Sequence, residues 1–140
     1  MPKTTETVLR DIYDAWRAQD LDWLASYLPD DFCHVVKIPI EIHPLGGACN
    51  GKHAALERLR LITVEFDFLK FDTSDLMIGR NRAAVEIPIR YRHRETGVPL
   101  ESIFVNFWTL EEGLPVRLGE YHDIGRIQAF VNDVAAQTPA

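Results

Sequence analysis

Two long runs of alternating apolar and polar residues, Leu100 to Leu110 and Val116 to Ile124, are separated only by Glu111-Glu112-Gly113-Leu114-Pro115, and no other feature constrains the chain as much. Alternation with a period of two is the pattern of strands that turn one face from water. In the first run Leu100, Ser102, Phe104, Asn106, Trp108 and Leu110 share one face, with Glu101, Ile103, Val105, Phe107 and Thr109 on the other. In the second, Val116, Leu118, Glu120, His122 and Ile124 share a face, opposite Arg117, Gly119, Tyr121 and Asp123. Asn106, Glu120 and His122 therefore interrupt faces that are otherwise mainly apolar. Burying a carboxylate or an amide is unfavourable unless it finds a partner, so such groups on inward faces of adjacent strands predict either a satisfied core network or a pocket.

The rest of the chain can be read around that hairpin. Val8, Leu9, Ile12, Ala15 and Trp16 recur at spacings of three and four, which predicts a helix from Thr5 to about Gln19 with Thr4 or Thr5 as N-cap. Asp20 is placed to cap a second short helix carrying Leu21, Trp23, Leu24 and Leu28, ended by Pro29-Asp30-Asp31. Phe32 to Ile38 alternates as a strand with Phe32, His34, Val36 and Ile38 on one face, so His34 is another polar intrusion. Pro39 to Asn50, with His43, two prolines and Gly46-Gly47, reads as an irregular loop on the surface or over a cavity mouth. Asn50 is a candidate cap for a third helix, Gly51 to about Ile62, with Ala55, Leu56, Leu59 and Ile62 on one side and Lys52, Glu57, Arg58 and Arg60 on the other.

From there strands take over. Val64 to Ile78 is long and apolar with an irregularity at Asp72 to Asp75, either a bulge or a break between two short strands. Gly79-Arg80-Asn81 turns it into Ala83 to His93, whose inward face is Val85, Ile87, Ile89, Tyr91 and His93, and where Pro88 requires an edge or a bulge. Glu95-Thr96-Gly97 leads into the first long run, and Ile124 to Ala135 reads as a closing helix with Ile127, Phe130, Val131 and Val134 apolar. The order α-α-β-α, four hairpin-connected strands and a terminal helix predicts an α+β fold: a strongly curved antiparallel sheet with helices on one face.

At 140 residues one domain, spanning 1–140, is expected. A net charge of −6 argues against a nucleic-acid surface, and no apolar run is long enough to cross a membrane as a helix. Cys33 and Cys49 without a targeting segment at Met1-Pro2-Lys3-Thr4-Thr5-Glu6 read as free thiols of a cytoplasmic protein. No Gly-rich phosphate loop, Ser/His/Asp order, CxxC or basic aromatic array is present.

The helix Thr7-Val8-Leu9-Arg10-Asp11-Ile12-Tyr13-Asp14-Ala15-Trp16, followed by Gln19-Asp20-Leu21-Asp22-Trp23-Leu24 and Leu28-Pro29-Asp30-Asp31-Phe32, resembles the nuclear transport factor 2 (NTF2)-like superfamily, in its SnoaL-like polyketide cyclase and ketosteroid isomerase-like branches. The helix start Gly51-Lys52-His53-Ala54-Ala55-Leu56 and the closing Val116-Arg117-Leu118-Gly119-Glu120-Tyr121-His122-Asp123 add to the likeness, which covers nearly the whole chain. The resemblance implies a cone-shaped α+β barrel of the cystatin-like type, its sheet wrapped around the N-terminal helices, with a hydrophobic pocket at the open end and dimerisation through the outer face of the sheet. The isomerase branch's general base falls at about Val36, which carries no acid; its oxyanion-hole acid matches Asn106, and its oxyanion tyrosine matches Ile12, with Tyr13 one place away. The cyclase branch's His and acid fall at Asn106 and Glu120, so the acid is kept and the His is not.

Glu120 is the leading catalytic candidate: desolvated on an inward face, it is expected to have a raised pKa and to take a proton beside a carbonyl. The competing reading is a salt bridge to Arg90 or Arg92, or a place at the rim. Asn106 is the candidate oxyanion donor, and His34 or His122 the complementary acid. The same three residues, His34, His122 and Glu120, can also be read as a metal triad, but no short ligand spacing supports it, and neither a metal nor a cofactor is expected. Tyr13, Trp16, Tyr91, Phe104 and Trp108 are candidates to line a cavity for a small hydrophobic or aromatic ligand, against the alternative that they are ordinary core. Asp123 is held in reserve, and His43, His53 and His93 are given no role. Cofactor-free cyclase, isomerase or dehydratase chemistry in a homodimer is one expectation; a non-catalytic ligand-binding or association module is the other, and an epoxide hydrolase of the same fold would need an Asp-Arg-Asp set that Arg117 and Asp123 do not supply.

Overall fold

The structure, a computed structural model, describes residues 3–137. Helix α1, Thr5–Arg17, starts where the Thr4 hydroxyl accepts the Thr7 N–H, and it buries Val8, Leu9, Ile12, Tyr13, Ala15 and Trp16 along one stripe. Helix α2, Leu21–Ala25, is capped by Asp20, whose carboxylate accepts from Trp23 N; Trp23 itself stays exposed while Leu24 and Leu28 go inward. Strand β1, Cys33–Lys37, follows, with His34 and Val36 buried as the alternation requires.

The loop expected from Pro39 to Asn50 is irregular only as far as Gly46. It then forms a short strand β2, Gly47–Asn50, antiparallel to β1. Asn50 is therefore a strand residue; the N-cap of α3, Lys52–Glu65, is Gly51 at φ +97 with no side-chain cap bond. Opposite residues of an antiparallel pair share a face, so His34 pairs with Cys49 and Cys33 with Asn50, which puts the two free thiols on opposite sides of the sheet. Arg58, expected on the polar side of α3, is buried, and its guanidinium donates to the carbonyls of Gly47 (2.8 Å), Gly46 (3.2 Å) and His34 (3.4 Å).

After α3 the chain makes two short strands, β3 Phe66–Phe71 and β4 Asp75–Gly79, which pair in succession with β5, Arg82–His93. Pro88 thus lies in an internal strand, not at an edge. It is tolerated because its carbonyl receives Asp72 N at 3.2 Å, so the missing N–H faces the same side, where the ladder breaks between β3 and β4. Strand β6, Pro99–Glu111, and strand β7, Leu114–His122, are joined by Glu112-Gly113, both at positive φ, which is the backbone a tight two-residue hairpin needs. Leu110 pairs with Pro115 but Thr109 with Arg117, so Val116 is the extra residue of a bulge and Pro115, not Val116, occupies the inward position. Beyond the bulge Leu118, Glu120 and His122 return to the inward face. Ile124 is not a strand residue; it begins α4, Ile124–Gln137, whose first turn is closed by the Asp123 carboxylate accepting Arg126 N at 3.2 Å.

The strands form one mainly antiparallel sheet in the order β2-β1-β7-β6-β5-β3, with β4 also on β5. The first and last long strands, β1 and β7, run parallel, and the curved sheet is not closed, since β2 and β3 end it without pairing. Its inner face, with α1, encloses the core: Leu9, Val85 and Ile87 have no exposed surface.

Candidate active site

The same inner face leaves a cavity of about 130 Å³, walled almost entirely by apolar and aromatic side chains. The residues proposed from the sequence reach it, the reserve Asp123 excepted: Tyr13 and Trp16 from α1, His34 from β1, Tyr91 from β5, Phe104, Asn106 and Trp108 from β6, and Glu120 and His122 from β7. That convergence follows from register, because Asn106 lies directly opposite Glu120, Phe104 opposite His122, and Val36 on β1 beside Glu120. Val36, at the position where the isomerase branch keeps its base, is a buried wall residue.

Among the described residues Glu120 is the only carboxylate in the lining, and two imidazoles hold it. His122 Nε2 lies 2.9 Å from one oxygen and His34 Nε2 3.4 Å from the other. Burial alone would raise the pKa of this carboxyl, but the hydrogen bonds from His122 and His34, with their charge, outweigh it and hold Glu120 well below the usual carboxylate range. The sequence predicted a raised value because it reveals burial and not partners. An ionised carboxylate only accepts, so both Nε2 atoms carry hydrogen. The Nδ1 atoms of both rings are buried and have no partner. His122 is further fixed by stacking on Phe104 at 4.8 Å between centroids.

A second polar cluster sits across the hairpin. The Tyr13 oxygen accepts from Asn106 Nδ2 at 2.7 Å and from Trp108 Nε1 at 2.8 Å, while Asn106 Oδ1 is buried without a partner. Indole N–H can only donate, so the Tyr13 oxygen is its acceptor and the phenol keeps its own hydrogen to give. Burial pushes the phenols of Tyr13 and Tyr91 above the ordinary tyrosine range, which keeps them protonated donors. The tyrosine that the resemblance left one place out of step is thus the residue that turns into the cavity with its hydroxyl.

The competing readings can now be placed. Arg90 pairs with Glu101 at 3.3 Å, and Arg92 and Arg94 pair with Asp67 at 3.0 Å each, all exposed and away from Glu120. Among the described residues no three His, Cys, Asp or Glu side chains are arranged to hold a metal ion; His34 and His122 spend their Nε2 atoms on Glu120 itself. Arg117 and Asp123 are exposed and the cavity lining has no arginine, which leaves an Asp-Arg-Asp set without its parts. Sequence reasoning missed His43 and Leu45, which bring the Pro39–Gly46 loop over the cavity. His43 Nε2 meets the Glu65 carboxylate at 3.2 Å, and His93 Nε2 approaches the same oxygen at 3.5 Å. Only the prolines and Gly46-Gly47 hinted at a loop over a mouth, and nothing local in the sequence joins His43 to Glu65.

No curated protein matches the sequence. Solved structures do, at identities that speak for the fold alone. A candidate isomerase from Rhodopseudomonas palustris is 21% identical, covers 95% of this chain and 99% of its own, and superposes with a TM-score of 0.81. An NTF2-like protein from Burkholderia xenovorans LB400 is 17% identical over 94% of this chain and 98% of its own, with a TM-score of 0.82. TerC, co-crystallised with polyporic acid, is 17% identical over 91% of this chain and 98% of its own, with a TM-score of 0.80. The model of the SnoaL-like domain matches residues 9–118, and with that span the chain belongs to the SnoaL-like domain family.

Proposed function

We propose that this chain is a cofactor-independent acid–base catalyst acting on a small hydrophobic or aromatic carbonyl compound, in an isomerase, cyclase or dehydratase type of reaction. The observation that carries the reading is the Glu120–His122 pair on β7, opposite Asn106 on β6, lining one apolar cavity with Tyr13 of α1, whose oxygen Asn106 holds. A carboxylate held this far below its usual range is a weak base, which shifts the proton-transferring role from Glu120 to the imidazole it orients. In the neutral form of His122, with Nε2–H committed to Glu120, Nδ1 is free to remove a proton from the carbon next to the carbonyl; the C–H electron pair moves onto the carbonyl oxygen, and Glu120 stabilises the imidazolium formed. The developing enolate oxygen takes the Tyr13 hydroxyl as hydrogen-bond donor, with the Asn106 amide beside it. The imidazolium then returns the proton to the same or a neighbouring atom, so no oxidant or cofactor enters the balance.

The test is exchange of the α-protons of phenylacetone in D₂O, followed by proton NMR. Exchange above the buffer rate is expected for the wild-type protein, with loss of about 100-fold in Tyr13→Phe and near-complete loss in His122→Phe. Absence of exchange with this and other one-ring ketones that bind would overturn the catalytic reading. It would leave the second one, a ligand-binding module, which the low basicity of Glu120 also favours.

The same proposal includes a cytoplasmic homodimer. Support for the compartment is two unpaired thiols on opposite faces of β1 and β2, and no helix of the described residues is long and apolar enough to cross a membrane. Support for the dimer is the outer face of β6 and β7, where Ile103, Phe107 and Tyr121 are each about half exposed and adjacent in register.

A further inference from the structure

Two buried polar atoms of residues that line the cavity have no use in the proton transfer. His34, only 1% exposed, gives Nε2 to Glu120 and leaves Nδ1 without a partner; Asn106, only 3% exposed, gives Nδ2 to Tyr13 and leaves Oδ1 without one. A buried polar atom left unbonded is unfavourable, so the two together set a demand on whatever fills the space. A carbonyl oxygen only accepts and can serve the Tyr13 hydroxyl, but it offers nothing to a bare Nδ1 or to an amide oxygen. An apolar ring serves none of them. A hydroxyl meets Nδ1 in either state, donating to the neutral ring and accepting from the protonated one, and it also answers the amide whichever way its oxygen and nitrogen lie.

Size sets the second limit. The cavity of about 130 Å³ is close to the apolar cavity of about 150 Å³ that takes one benzene molecule, which leaves room for one ring whose small substituents reach the polar side chains or the open mouth, and a three-ring fused compound exceeds it. From the two unpartnered atoms and this volume we infer that the ligand is a single-ring hydroxy-carbonyl compound, its hydroxyl bound by His34 Nδ1 or Asn106 and its carbonyl by Tyr13. The inference rests on the proposed reading of the cavity as the ligand site.

Calorimetric titration of the wild-type protein with ethylbenzene, acetophenone, 3- and 4-hydroxyacetophenone and 2-hydroxyanthraquinone tests it. At least one hydroxyacetophenone is expected to bind about 10-fold tighter than acetophenone, with ethylbenzene weaker than both and the three-ring compound weaker than the hydroxyacetophenones. The hydroxyl's gain, taken as the ratio of hydroxyacetophenone to acetophenone affinity within each variant, is expected to fall to about 2-fold or less in His34→Leu or in Asn106→Leu. Equal affinities for acetophenone and both hydroxy isomers, a three-ring compound that binds as tightly, or a gain unchanged in both variants would overturn it. Should one variant fail to fold, the other and the wild-type series still decide. Binding preference and proton exchange are separate readouts: a hydroxyl gain without exchange refutes the catalytic reading alone, and exchange without a hydroxyl gain refutes this inference alone.

Discussion

His122→Phe is the substitution that most directly tests what holds Glu120 ionised. Phenylalanine keeps a flat ring to stack on Phe104, where the imidazole lies at 4.8 Å, and removes the 2.9 Å bond to the carboxylate. A hydrogen bond to a charged group contributes about 1.5–3 kcal/mol, and one pKa unit corresponds to about 1.4 kcal/mol, so losing it lifts the carboxyl by about one to two units. Burial, which opposes ionisation throughout, then has only His34 at 3.4 Å against it. The assay is the side-chain carboxyl ¹³C shift of Glu120 in glutamate-labelled protein, titrated downward from neutral pH. In the wild-type protein no titration step is expected near the ordinary value of 4.5, whereas the variant shows one displaced toward it. Stability follows with a fixed sign. Because the folded carboxyl titrates below the unfolded one, its contribution is complete above about pH 4.5 and is lost as the solution is acidified further. A wild-type Glu120 that titrates at or above 4.5, or a His122→Phe protein whose Glu120 signal does not move, would refute the claim that the imidazole overcomes desolvation.

Arg58→Met leaves the carbonyls of His34, Gly46 and Gly47 without their donor, at about 1 kcal/mol each, and the thermal midpoint is expected to fall by about 10 °C; a drop of under about 3 °C in a melting scan speaks against a clasp. Phe107→Glu places a charge in the half-exposed patch on the outer sheet face and is expected to convert the proposed dimer to a monomer in sedimentation velocity without changing acetophenone affinity. A wild-type protein that sediments as a monomer removes the dimer.

Which parts of this could be read from the sequence depends on the range of the interactions involved. The inward face from Leu100 to Leu110 was legible because strand period alone decides it, and all six residues are buried. Pro88 announced a break in pairing, but whether the break lay at an edge or beside a gap depended on how β3 and β4 divide one neighbour between them. Val116 was misplaced by one position because a bulge is a property of two strands in register, and the sequence of one strand does not carry it. Arg58 read as solvated because its partners are carbonyls of β1 and of the Gly46-Gly47 segment, which any sequence can supply.

The site divides along the same line. That Glu120, His122, His34 and Asn106 would meet followed from alternation in three strands, a short-range property. The sign of the Glu120 shift did not follow, since it depends on His122 bonding its own strand neighbour at 2.9 Å and on a ring 86 residues away along the chain coming within 3.4 Å. Burial and pairing act on the same carboxyl in opposite directions, and the pairing joins His122 from β7 itself to His34, which β1 brings in by running parallel beside β7 and setting His34 next to Leu118, on the same inward face as Glu120. The parallel pairing thus does more than extend the sheet. It supplies a second imidazole beside the carboxylate, and a charged Glu120 takes the Nε2 hydrogen of both rings and leaves their buried Nδ1 atoms without a partner.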